Sequence, residues 1–101
     1  MRTLLFFDLP TLTSKDRREY RKFIKVLKTN GFYMIQESVY AKMSIDQAAA
    51  DSTTRKLKSN VPPNGFIMSM TVTEKQFASI DILLGEYKTD VLTTDERTVI
   101  L

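Results

Sequence analysis

The sequence predicts an α+β fold in which helices cover one face of an antiparallel sheet, and three observations lead there. Residues 3–10, TLLFFDLP, place Leu4, Leu5, Phe6 and Phe7 in succession, so a pleated strand carries apolar groups on both faces. Tyr20, Phe23, Ile24 and Leu27 then fall at i, i+3, i+4 and i+7, the stripe of an amphipathic helix. Beyond them strand-like and helix-like patterns alternate to the end, with no repeat, linker or low-complexity stretch. The 101 residues suffice for one core and not for two, so residues 1–101 read as a single domain.

The first strand should sit centrally in the sheet and stop at Asp8, because Pro10 lacks the N–H that a ladder needs. A carboxylate that emerges as a strand runs out is a candidate for chemistry; a plainer role is to cap the following turn. Thr13 with Asp16 three residues on makes a capping-box variant, which opens a helix running to about Thr29 and stopped by Asn30 and Gly31. Residues 32–43, FYMIQESVYAKM, are strand-like, with Ile35, Val39, Ala41 and Met43 on one parity and Phe32 and Met34 on the other. The polar Gln36, Glu37 and Ser38 fit either one bulged strand or two short strands that meet there.

Ser44 with Gln47 is a second capping-box pattern, which predicts a helix to about Ser59 with a slim stripe of Ala48, Ala49, Ala50 and Leu57. Residues 60–65, NVPPNG, must turn. Phe66, Met68, Met70 and Val72 alternate with Ile67, Ser69 and Thr71 as a further strand, and Thr73 with Gln76 opens a short helix carrying Phe77 and Ile80. The final apolar residues Thr98, Val99, Ile100 and Leu101 predict an additional C-terminal strand, joined to this sheet or to a neighbour's.

With no Cys and no His, disulfides, zinc sites and imidazole bases are absent, so any hydrolysis must use a carboxylate, a hydroxyl or a carboxylate-held metal. Four apolar residues before Asp8 are too few for a signal peptide or a membrane span, so the expected location is the cytoplasm, with no membrane partner. The net charge is only +3, but its distribution is uneven. Arg17, Arg18, Arg21, Lys22, Lys25 and Lys28 all fall opposite the apolar stripe of the first helix, and only Asp16 and Glu19 offset the seven basic residues from Lys15 to Lys28. A solvated face is the ordinary explanation of a charged stripe. Here like charges repel at i, i+4, which points instead to a polyanionic partner for Arg17, Arg18, Arg21, Lys22 and Lys25.

The element order is that of a ferredoxin-like βαββαβ sandwich with an extra C-terminal strand. Helices on one face leave the other bare, and the first strand is apolar on both. A monomer would therefore expose a large apolar patch, which a homodimer formed through the sheet would cover. Asp8 shares parity with Leu4 and Phe6. If the helices cover Leu5 and Phe7, dimerisation carries two Asp8 carboxylates toward one axis.

FFDLP at 6–10, EYRKF at 19–23, NGF at 30–32 and QESVY at 36–40 closely resemble, in order and spacing, the small CRISPR-associated adaptation protein family, the smaller of the two universal spacer-acquisition proteins. TLT at 11–13 is similar to the version found in type II systems. The resemblance implies a ferredoxin-like homodimer that binds double-stranded DNA and bridges dimers of the CRISPR-associated integrase. It also implies a second activity, described for some members: metal-dependent endonuclease cleavage of single-stranded RNA or duplex DNA, with Asp8 as the metal ligand. Mg²⁺ takes few carboxylates and keeps several waters, so one Asp8 from each subunit could share it with a substrate phosphate. No second acidic residue, DxD or ExK spacing stands beside Asp8, which favours the scaffold as the principal role and leaves the nuclease as the alternative. An RNA-binding module of RNP type is disfavoured, since its aromatic pair and glycine pattern do not occur on a strand.

Overall fold

A computed structural model describes residues 1–86. In chain order these form β1 (Arg2–Asp8), α1 (Ser14–Thr29), β2 (Tyr33–Gln36), β3 (Val39–Met43), α2 (Gln47–Lys58), β4 (Phe66–Val72) and α3 (Glu74–Ala78). The strands make one sheet in the order β2-β3-β1-β4, with every neighbour antiparallel. This is the α+β ferredoxin-like arrangement, with β1 central as its apolar run demands. The predicted strand at 98–101 lies outside the described residues.

Local chemistry sets most boundaries. Thr13 caps α1 by accepting from the Asp16 N–H at 3.0 Å, and the Asp16 carboxylate accepts from the Thr13 N–H at 3.2 Å. At the other end Gly31 takes φ +88°, a conformation that costs other residues a steric penalty. The Lys42 ammonium donates to the Asn30 carbonyl at 2.6 Å, adding positive charge at the negative end of the helix. Residues 32–43 resolve into two strands rather than one: a register shift between Met34 and Gln36 and a left-handed Ser38 (φ +66°) fold them into a hairpin. α3 has the predicted capping box between Thr73 and Gln76.

The start of α2 differs from the sequence expectation. Asp46, not Ser44, is its cap, accepting from the Ala49 N–H at 2.9 Å. Ser44 is buried and tied to the chain start: its N–H donates to the Met1 carbonyl at 2.8 Å, and its carbonyl accepts from the Met1 amine at 3.2 Å. A residue so engaged by the neighbouring strand cannot turn into a helix, and a carboxylate two residues later is an equally good cap. The buried stripe of α2 is Ala50, Thr53 and Leu57, with Ala48 exposed.

Both helices lie against the sheet face that carries Leu5 and Phe7, where these two residues join Leu9, Phe23, Leu27, Phe32, Tyr40 and Leu57 in the main core. Phe7 is its pivot, meeting Phe23 edge-on at 5.6 Å and Tyr20 at 6.2 Å between ring centres. Burial pushes the Tyr40 phenol above its usual pKa, with the neighbouring Tyr20 adding to the effect.

Candidate functional site: the Asp8 end of the sheet and the cationic face of α1

Register assigns the other face. Leu4, Phe6 and Asp8 lie opposite Met70, Met68 and Phe66 of β4, and Leu4 and Phe6 lie opposite Ala41 and Val39 of β3. Among the described residues no helix layer covers this surface at its Asp8 end, where Phe66 is 63% exposed and Met68 and Met70 are 52% exposed. At the opposite end α3 folds over, and Phe77 packs with Leu4, Ala41 and Val72. Arg2 fastens it there. Its guanidinium lies 4.5 Å over the Phe77 ring, its Nε donates to both Glu74 oxygens at 3.0 and 2.9 Å, and its Nη1 donates to the Tyr33 hydroxyl. Burial works against the Arg2 charge, but Glu74 and Tyr33 outweigh it and raise the pKa; the same Arg2 hydrogen bond holds Glu74 below the usual carboxylate range.

Asp8 is the last residue of β1 and is exposed, on the same parity as Leu4 and Phe6. Its backbone is pinned by close packing. Leu9 is buried, and Gly65 (φ +117°) passes so near that a Cβ there would stand 2.5 Å from Leu9 Cδ2 and 3.0 Å from the Asp8 carbonyl oxygen. Only glycine fits. Among the described residues no three His, Cys, Asp or Glu side chains gather as a ready metal cage.

Arg18, Arg21, Lys22, Lys25 and Lys28 are all exposed on the outer face of α1, and among the described residues none of them is in an ion pair. Lys15, Arg17 and Arg18 stand in the first turns, at the positive end of the helix dipole, where cations are unfavourable. Arg17 differs from the rest of the ridge. Its Nη1 donates to the Thr11 and Leu12 carbonyls, both at 3.1 Å, and its Nη2 lies 3.5 Å from Ser14 Oγ.

The start of the ridge and Asp8 share an end of the molecule but not a layer. α1 begins shortly after Asp8 yet lies on the helix side, whereas Asp8 belongs to the parity of the open face. Topology adds a group that periodicity did not single out: α2 ends in Arg55, Lys56 and Lys58, all exposed, just before the turn into β4, whose first residue faces Asp8. Their signal in the sequence was a short basic run with no acid, but only the fold brings that run to the Asp8 end. The turn itself meets α1, since Pro62, Pro63 and Asn64 line one cleft with Lys15, Glu19 and Tyr20.

Residues 1–80 match the family model described as CRISPR associated protein Cas2. The chain belongs to the Cas2 family. A Cas2 of Treponema denticola is 46% identical over 101 residues, and one of Ligilactobacillus salivarius is 43% identical over 101, each match covering both chains completely. A third, from Streptococcus mutans, is 46% identical over all of this chain and 93% of its own. All three carry the name CRISPR-associated endoribonuclease Cas2. The crystal structure of Streptococcus pyogenes Cas2 at pH 6.5 shares the fold, with a TM-score of 0.62 at 20% identity over 82% of this chain and 99% of that one. Among the described residues of this Cas2 family member, no helix is long and apolar enough to cross a membrane.

Proposed function

We propose that this chain acts in CRISPR spacer acquisition as a homodimeric scaffold that binds duplex DNA and bridges integrase dimers in the cytoplasm. The observation that carries this reading is the row of exposed cations on α1, Arg18, Arg21, Lys22 and Lys25, none of them in an ion pair among the described residues. Such a row raises the energy of the isolated chain by self-repulsion and lowers it when a phosphate backbone displaces counterions. The open apolar face around Phe66, Met68 and Met70 supports the homodimer, since soluble monomers rarely leave such a patch uncovered.

The test is duplex affinity against salt concentration for the wild type and an Arg18→Ala, Arg21→Ala double variant. Removing one cation from a phosphate should flatten the slope of log affinity by about 0.9 for B-form DNA, so the double variant's slope should be shallower by roughly 2. Equal slopes would remove the scaffold reading.

A second reading, Mg²⁺-dependent cleavage of single-stranded RNA or duplex DNA, is supported by the endoribonuclease name of the relatives and by the exposed carboxylate of Asp8. The donor set fits Mg²⁺ as a pair, one Asp8 from each subunit across a twofold axis, since the ion takes one or two carboxylates together with waters and substrate phosphate. When bound, it supplies positive charge against the phosphate oxygens. Asp8→Ala should abolish cleavage while leaving folding and duplex binding intact; cleavage that survives the substitution places the activity elsewhere.

A further inference from the structure

Arg17 belongs to the cationic row by sequence and departs from it in geometry. The loop between β1 and α1 is anchored at one end by buried Leu9 and at the other by the Thr13–Asp16 capping box. Between these anchors Pro10 has no N–H to give, and Leu12 is 88% exposed, so packing does not hold the middle of the loop. The carbonyls of Thr11 and Leu12 both accept from one nitrogen of Arg17, Nη1, at 3.1 Å. These are charge-assisted bonds from a planar, preorganised donor, which loses less freedom on binding than an ammonium would. They also give a local reason for an arginine in the opening turns of a helix, where the dipole alone disfavours it.

We infer that Arg17 is a positioning residue: its guanidinium clamps the Thr11 and Leu12 carbonyls, immobilises the loop that leaves Asp8, and takes no part in the phosphate track. The clamp stands on these contacts alone. Its consequence for chemistry rests on the proposed role of Asp8, the residue from which the loop departs. Gly65 fixes the Asp8 backbone from the β4 side, and Arg17 steadies the chain that follows it.

The experiment compares the full chain with Arg17→Ala and Arg17→Lys, and three readouts keep the two ideas apart. Backbone ¹⁵N order parameters at Thr11 and Leu12 should fall from about 0.85 toward 0.6 or below in Arg17→Ala, with Arg17→Lys intermediate because an ammonium keeps some of the donation. The salt slope of duplex binding should stay at the wild-type value in Arg17→Ala. The Mg²⁺ concentration for half-maximal cleavage should rise several-fold in Arg17→Ala and be partly restored by Lys. Order parameters unchanged in Arg17→Ala would overturn the clamp, as would a salt slope reduced by about 0.9, the signature of a cation taken off a phosphate. Should the wild type show no cleavage, the Asp8 reading fails on its own, and the order parameters still decide for or against the clamp.

Discussion

Under α1 and α2, Leu5 and Phe7 are 2% and 6% exposed, whereas Phe66, Met68 and Met70 across the same sheet keep half or more of their surface. The residues are equally apolar, and β1 supplies side chains to both faces. What separates the two is the partner each face is given. Among the described residues, one receives two helices of its own chain; the other receives only α3, pinned at the Arg2 end, and stays open at the Asp8 end. Apolar content therefore reports that a surface is to be covered, without saying by what.

The largest expected effect lies on the covered face. Phe23, 1% exposed and edge-on to Phe7, is enclosed by the core, so Phe23→Ala should destabilise the chain by about 3–5 kcal/mol in denaturant unfolding. A loss below about 1 kcal/mol would mean that the two faces are less different than they look. The open face should respond in association rather than in folding. Met68→Asp puts a charge in the middle of the apolar patch, and sedimentation at micromolar concentration should show a homodimer in the wild type and a folded monomer in the variant. The dissociation constant should rise about a hundredfold or more, the cost of an unpaired charge in an interface. A wild type that sediments as a monomer would leave the open face without its proposed cover and would take the paired Asp8 arrangement with it.

The smallest effect is expected where α3 meets the open face. Because the Arg2 hydrogen bond lowers the Glu74 pKa in the folded chain, Glu74 contributes stability above the ordinary glutamate pKa, and this is lost as pH falls through the lowered folded value. Glu74→Gln should remove that pH-dependent part at neutral pH and change nothing in strong acid. Glu74 is half exposed and screened by solvent, so the difference should stay below about 1 kcal/mol. It is best read as the difference between the variant's and the wild type's thermal midpoints across pH; identical profiles would mean that α3 is held by Phe77 packing alone.

Much of this molecule could be read from the chain because the relevant chemistry is local. The Thr13–Asp16 and Thr73–Gln76 boxes lie within one helical turn, the stripe on α1 is a property of spacing, and β1 announces itself by four apolar residues in succession. Asp8 and the exposed cations of α1 were legible for the same reason, as a strand end and a helix face. The start of α2 was not, because Ser44 and Asp46 are both good caps locally and the choice fell to the pairing of Ser44 with Met1, 43 residues away in sequence. Nor was the role of Arg17, since helical spacing places a side chain on a face without saying whether it bends back to a loop.

The sequence by itself determined the order of helix and strand segments, the central place of β1 and the presence of an apolar surface in excess of what two helices can cover, but left residues 32–43 open between one bulged strand and two. Only the tertiary structure decided which parity of β1 lies beneath those helices, and with it that Asp8 shares a face with Met68 and Phe66 while the α1 cations stand on the far side. The physical reason is that patterning within a strand is symmetric between its two faces when both are apolar. The symmetry is broken by contacts between residues far apart in the chain: Phe7 against Phe23 and Leu57 on one side, and Phe77 against Leu4 on the other.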